Sequence, residues 1–478
     1  MNYQSRGARL LALLLALVLV AAACGSDDSG SDEASGSEAS SASASETASE
    51  ESGSEDTGDE AAASGPVTVC ELAYYTGDFA DFGEQLTGNL EFPITNVINA
   101  DPPLGREWQL VSEDLGTVGE GQAARACLER HEAEVVVSIA HGYREYRDFM
   151  IEYWAENDSP IVPSVHGGAI PGNLGGSADE PIFRAQGLDA GLGTAGALYA
   201  ESIGAENVVI FQTEVEGFTL ASDAAEGAAE AVGIDVLARI RTQASQPSYR
   251  AQVEEIADLE PDAVIVQAGT IDSGTLIKQA AEAGLSLTWI GETGWTSPEF
   301  MDTLGADLVS TQESIGFAAF GPNTTTDAWS FYEPAVVGAF GEDVEDSDTP
   351  WATPGDLYMF STYDVMVHTA LAVEHAGSYS ATDWSASMRE VGSAPGTQCF
   401  TYESCLELIR AGEDIDYEGV TGSADYTDGG VNNMAAAYTP FNDDGTQGDA
   451  EFLDAGRSND LVDAVAPVAE CEDNVCDW

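Results

Sequence analysis

Short β-branched runs alternate with helical stretches along most of this chain, and the alternation restarts once. The first series comprises VTVCELAYY from Val67, a helical stretch near Phe82 to Asn99, WQLVSED from Trp108, a helical stretch near 117–131, and a strand over Val135 to Ile139. Residues 143–157 then place Tyr146, Phe149, Met150, Tyr153 and Trp154 at three- and four-residue spacing, which makes one apolar helical face. Ile161-Val162 and Pro181 to Arg184 read as further strands, followed by a helix near 187–203. A second series follows: NVVIFQT from Asn207, helix 217–232, IDVLARI, helix 248–258, DAVIVQAG, helix 272–283 and LTWIGE ending at Glu292. Strands that are continuously apolar and separated by helices belong to parallel sheets covered on both faces. Two such series joined by Pro181 to Leu188 predict two similar α/β lobes. A helical segment at Ala352 to Ala376 and the mixed elements beyond Gly316 must return to the first lobe, so more than one crossover joins the lobes as a hinge.

Parallel α/β sheets bind small ligands beyond the carboxyl ends of their strands, where loops and helix N-termini offer free N–H groups. In the stretch Glu134 to Gly168 that edge carries His141, Gly142, Ser164 and His166.

Asp and Glu number 84 against 15 Lys and Arg, and Lys278 is the one lysine among the 478 residues. A surface of that sign repels polyanions, so nucleic acid is a poor partner and none is expected. It fits either a saline habitat, where ions screen the self-repulsion, or a compositional bias of the whole proteome.

The first residues read as an address. Arg6 and Arg9 precede an apolar run from Leu10 to Val20, too short for an ordinary membrane span, and then Ala21-Ala22-Ala23-Cys24. This resembles a bacterial lipoprotein signal, which implies cleavage before Cys24 and acylation of its thiol; the plain alternative is a secretory signal cut nearby. Two or more acyl chains hold a protein on a membrane. Gly25 to Gly65 contains no aromatic or branched aliphatic residue, has nothing to bury, and reads as an acidic tether.

Six further cysteines, at 70, 127, 399, 405, 471 and 476, suit an oxidising compartment. The short spacings favour Cys399 with Cys405 and Cys471 with Cys476, which leaves Cys70 for Cys127. Metal binding is the rival account, without a Cys-x-x-Cys pair or adjacent histidine to support it.

The order of several motifs resembles the type I periplasmic solute-binding proteins of the branched-chain amino acid and amide group. They are YYTGDFADFG, EDLGTVGEGQAARAC, PIVPSVHG, IFRAQGLD, PDAVIVQAGTIDSGTLIKQAAEAGL and STYDVMVHTALAVEHAGS, spread from about Val67 to about Asp449. The resemblance implies two Rossmann-like lobes with parallel sheets joined by hinge crossovers: lobe 1 at 66–186 and 316–435, lobe 2 at 187–315, a C-terminal crossover segment and disulfide tail at 436–478, a signal at 1–23 and the linker at 24–65. It implies a monomeric, lipid-anchored extracytoplasmic protein that hands a small solute to an ABC permease, without catalysis or cofactor. Carried over by position, Phe82 falls where an aromatic covers the ligand, Gly142 where a serine usually donates to its carboxylate, and Ser164 and His166 on the loop that grips the polar head. Lobe 2 contributes Thr213 to Gly217 with Glu216, Gly269-Thr270 and Glu292-Thr293. Gly142 in place of serine, His166 in place of threonine and the added His141 count against a standard α-amino acid, whereas Glu292 suits an ammonium group.

Plainer accounts stand beside these. A lone histidine is often a satisfied core or surface group, and Glu292 can simply cap a turn. Gly191-Leu-Gly193-Thr-Ala-Gly196 has the letters of a dinucleotide loop but lies in a helical pattern, where close helix packing explains it better. Phe441 to Gly445 lacks calcium-ligand spacing. An exported hydrolase would need Gly-x-Ser-x-Gly or His-Glu-x-x-His, and neither occurs. A sensor of the same fold would share every feature above.

Overall fold

The computed structural model describes residues 65–76, 81–139, 142–168, 170–322, 324–341, 349, 352–432, 434, 436–453, 455–472 and 475–477. The expected leader, Cys24 and nearly all of the acidic tether lie outside the described residues.

β1 (Val67–Ala73) lies between β2 (Trp108–Asp114) and β3 (Val135–Val137), parallel to both. Bridges Val135 to Ile161 and Ser138 to Ser164 continue the layer to β4 (Val162–Ser164), which pairs in parallel with β5 (Ile182–Arg184). Helices α1 (Asp81–Phe92), α2 (Leu115–Val118), α3 (Glu120–Glu129) and α4 (Tyr143–Asn157) connect these strands. Val67, Val69, Cys70 and Leu72 are fully buried, as strands covered on both faces require.

The second series forms its own sheet. β6 (Asn207–Thr213), β7 (Asp235–Thr242), β8 (Ala263–Gln267), β9 (Thr288–Gly291) and β10 (Ser314–Phe320) run parallel in the order β10-β9-β8-β6-β7. Around them lie α5 (Asp189–Ser202), α6 (Glu216–Val232), α7 (Arg250–Leu259), α8 (Thr270–Glu282) and α9 (Pro298–Leu304). The glycines at 191, 193 and 196 sit inside α5, and a Cβ on Gly193 would lie 1.8 Å from the Ala221 carbonyl of α6. Their role is therefore close helix contact.

After β10 the chain returns to the first core. α10 (Asp327–Phe340), α11 (Leu357–Ala376), α12 (Ala381–Glu390), β11 (Thr397–Cys399), α13 (Tyr402–Ala411) and β12 (Ile415–Tyr417) contribute to the hydrophobic cluster that includes β1 and β3. It then crosses again to β13 (Ala436–Pro440), antiparallel to β10, and on to β14 (Glu451–Phe452) and α14 (Ala455–Val465), which packs on α5 and α6. The chain thus passes between the two sheets three times: after β5, after β10 and before β13. The first and last passes are held together, since Arg184 N–H donates to Gly430 O at 2.7 Å and Asn432 N–H to Arg184 O at 2.9 Å. The fully buried Arg184 guanidinium donates to the main-chain carbonyls of Ile170, Leu174 and Gly429.

Three disulfides are present, Cys70–Cys127, Cys399–Cys405 and Cys471–Cys476, the pairs the spacings favoured. The last closes the hairpin of β15 (Glu470–Glu472) and β16 (Val475–Asp477).

Several limits differ from the sequence reading. The helix expected near 82–99 ends as α1 at Phe92, and Pro93, which has no N–H to donate, opens a wider turn over Pro93–Val97. The helix expected near 117–131 is split by Gly119 at φ +81°. The helix expected from Ala352 starts at Leu357, because the Asp356 carboxylate accepts from the N–H groups of Tyr358 and Met359, both at 3.0 Å. β10 runs to Phe320, so the return to the first core begins after that residue rather than at 316.

Candidate functional site

The carboxyl edge of the first sheet is fixed by its own turns. Asp114, at the end of β2, accepts from the N–H groups of Tyr75, Thr76 and Gly116 at 3.0–3.2 Å and from the Thr76 hydroxyl at 2.6 Å. This locks the exit of β1 and leaves Tyr74 half-buried at the edge. Burial, then the charges of Glu120 and Glu145, pushes the Tyr74 hydroxyl up to about 12, so it remains a donor at neutral pH.

Glu120 opens α3 and is 4% exposed, and neither of its carboxylate oxygens has a hydrogen-bond partner among the described residues. It stands against Gly142, the residue just before α4: a Cβ at 142 would lie 2.8 Å from Cδ and Oε2 of Glu120. Burial pushes the carboxyl up to about 7, with the Gly142 backbone pulling it down and Glu145 pushing it up. Sequence reasoning missed this residue, whose signal was a glutamate between two glycines. Gly121 matters to its position, because a Cβ there would lie 3.1 Å from the Glu145 carbonyl.

Ser164 is fully buried, and its hydroxyl lies 3.1 Å from Ser138 O and 2.9 Å from His166 O. It shapes the loop on which His166 rides. The His166 ring is stacked on Tyr358 near the start of α11, centroids 6.3 Å apart and planes at 21°. Burial lowers its pKa to about 4, so the imidazole is neutral. Tyr358 was not expected at the site. Its pKa is raised by burial and then by Asp356, Asp189, Glu292 and Tyr74, which places it within electrostatic reach of both sheet edges.

On the second sheet Glu292 follows β9 and is 7% exposed; its Oε2 accepts from Gly294 N–H at 2.8 Å. Burial pushes it up to about 7, lowered by the Gly294 bond and raised by Asp189. Glu292 therefore caps a turn and is also a buried acid at the strand end. Thr270, the first residue of α8, donates to Gly294 O at 3.1 Å and holds the same turn, with Gly269 before it. Thr213, the last residue of β6, is fully buried, and its Oγ1 has no partner among the described residues. The same holds for the side-chain amides of Gln186 and Gln267 and for Thr293 Oγ1, all at or just beyond strand carboxyl ends. Glu216 opens α6, but its side chain, like that of Phe82 on α1, lies outside the described residues, as does His141. Asp189, the first residue of α5, is a further acid the sequence reading did not single out, and its Oδ2 would lie 2.6 Å from a Cβ on Gly217.

The structure thus joins Gly142 to Glu120, His166 to Tyr358, and Glu292 to Thr270 and Asp189. Every ionised group shifting Glu120, Glu292 or Tyr358 is an anion. The arrangement can accept hydrogen bonds and charge from a solute, and the described residues hold no cluster of metal-ligand type. A cavity of roughly 400 Å³ lies elsewhere, beside the crossovers, bounded by Leu188, Gly191, Phe320, Asn432, Val462 and Val468.

Residues 66–401 match the periplasmic binding protein family. The fold is similar to a leucine binding protein, LivK, of Thermotoga maritima, at 15% identity and TM-score 0.60 over 81% of this chain and 98% of that one. It is similar to the branched-chain amino acid binding protein LivJ of Streptococcus pneumoniae, solved with isoleucine, at 16% identity and TM-score 0.59 over 81% and 99%. A solute binding protein of an R. palustris ABC transporter, solved with benzoate, superposes at TM-score 0.58 and 14% identity over 81% and 98%. No curated protein sequence matches the chain.

Proposed function

Since the chain belongs to the periplasmic binding protein family, we propose that it captures a small polar solute between two lobes and delivers it to an ABC permease. The observation that supports this reading best is Tyr358, stacked on His166 of the first sheet's edge and acted on by Asp356 and by Asp189 and Glu292 at the second sheet's edge. Lobe 1 comprises about 66–186 and 321–435, lobe 2 about 187–320, and the C-terminal segment completes the second sheet. Three crossovers make a hinge about which a two-lobed clamp closes. The solute-bound relatives carry isoleucine and benzoate, so the architecture accommodates amino acids and aromatic acids alike, and the side chains of this protein decide the class. Cys24 carries the lipid that holds a monomeric clamp at the outer face of the membrane, with the acidic linker as tether. A thermal-shift panel of amines, amides, amino acids and aromatic acids identifies the solute, because a ligand of the native state raises the unfolding midpoint. X-ray scattering with that solute then shows compaction; an unchanged radius of gyration at saturation excludes the clamp.

A further inference from the structure

At the lobe 1 edge, α4 presents its N-terminus at Gly142, the place where a fifteen-residue helix would ordinarily draw a solute carboxylate to its free N–H groups. That place is taken. The Glu120 carboxylate fills the volume a side chain at 142 would occupy, its Cδ 2.8 Å from where the Cβ would be. A second anion brought there would meet a charge in a site shielded from water, where repulsion between like charges is strong. No side chain donates to the Glu120 oxygens among the described residues although the residue is only 4% exposed, and the Gly142 backbone is the one group that favours its charge. A buried carboxylate left in that condition is costly and is compensated by a donor or a cation. The lobe 2 edge repeats the chemistry, with Glu292 at 7% exposure and Asp189 close enough to raise its pKa.

We infer that the solute is a dication without a carboxylate: one ammonium head is held by Glu120 at Gly142, the other by Glu292 with Asp189. The inference rests on the solute-binding reading and deepens it. Glu120 is then the residue that sets specificity at lobe 1, and the unpartnered hydroxyls and side-chain amides of Thr213, Thr293, Gln186 and Gln267 offer both acceptors and donors to the polar groups along the same solute. His166 is neutral and adds no positive charge to oppose a cation.

The test is calorimetric titration of the full chain with 1,4-diaminobutane, spermidine, butylamine, L-isoleucine and benzoate. The expected result is that a diamine or spermidine binds at least about tenfold more tightly than butylamine, and that isoleucine and benzoate give no heat at millimolar concentration. Glu120→Gln should bring the diamine down to the butylamine level, while Glu120→Asp, which keeps the charge, retains the preference. A melting temperature for each variant separates lost binding from lost folding. Binding of isoleucine or benzoate with compaction leaves the solute-binding function standing and overturns the dication. Diamine binding unaffected by Glu120→Gln overturns the role of Glu120, and no diamine or spermidine binding at millimolar concentration overturns the inference outright.

Discussion

Arg147 and Glu180 form a two-pronged ion pair, Nε to Oε1 at 2.7 Å and Nη2 to Oε2 at 2.8 Å, with 4% and 9% of their side chains exposed. The Tyr143 hydroxyl, one turn earlier on α4, donates to the same Oε1 at 2.7 Å. Together they pin the first half of α4 to the segment before β5 and so fix the place of Gly142. Removing one partner of a buried pair leaves an uncompensated charge, which costs about 3–5 kcal/mol. Arg147→Met should lose that much in urea unfolding, and Arg147→Met with Glu180→Leu should recover most of it. A single-variant loss under about 1 kcal/mol would show that α4 is held by something else.

Cys70 on β1 and Cys127 on α3 are both fully buried and close a loop of sequence separation 57. In the chain-entropy account a loop of that size contributes about 4 kcal/mol. Replacing both with alanine should lower unfolding stability by a similar amount, whereas a change below about 1 kcal/mol would mean the unfolded chain is not constrained by this bond.

The sheets were legible because helical stretches separate short strand-forming runs: NVVIFQT, rich in β-branched residues, is β6 from end to end, and WQLVSED is β2. Helix ends were less legible where a side chain decided them, as Asp356 does for α11 and Pro93 for α1. At the site the strand-end positions Gly142, His166 and Glu292 follow from the fold class. Glu120 and Tyr358 do not, since each acts through a tertiary neighbour: the volume at Gly142 for the first, and the ring of His166 for the second. No periodicity along the chain carries that information.

The buried acids set a pH dependence. Glu120 faces Tyr74 just after β1 and Glu145 and Tyr146 from α4, while Glu292 faces Asp189 from α5 and Tyr358 from α11. Both carboxyls are pushed up to about 7 from 4.5, chiefly by burial. The folded chain therefore holds protons that the unfolded chain releases, and its stability falls as pH rises from 4.5 to about 7, by up to roughly 3 kcal/mol per group. His166 and His368, lowered to about 4 by burial, act in the opposite sense below 6.5. They are common to wild type and variant, so their effect cancels in the difference. The stability of wild type relative to Glu120→Gln with Glu292→Gln should therefore fall as pH rises from 4.5 to about 7, and diamine affinity for wild type should rise through the same window and level off above it. Parallel midpoint profiles would remove the two acids from the explanation.

The anchor is tested at Cys24, the one cysteine following an apolar core and small residues. Cys24→Ser should release the protein into the medium or block its processing. Unchanged membrane fractionation of that variant would exclude acylation there.

The proposed site gives Glu292 a second function beside its turn, and one substitution can separate the two. Its Oε2 accepts from Gly294 N–H, which holds the turn after β9, and in the proposed site its charge meets the solute. A glutamine keeps a carbonyl oxygen for the Gly294 bond and removes only the charge, whereas an alanine removes both. Glu292→Gln should therefore leave the melting temperature close to wild type, or raise it above about pH 7, where a buried amide is less costly than a buried charge. The same variant should weaken diamine binding by about 1.5–3 kcal/mol, the range for a hydrogen bond to a charged group. Glu292→Ala should lose that affinity and also stability, because Gly294 N–H is left without its acceptor. If Glu292 only capped the turn, the glutamine variant would bind every solute as wild type does, and calorimetric titration of the two proteins decides between these outcomes.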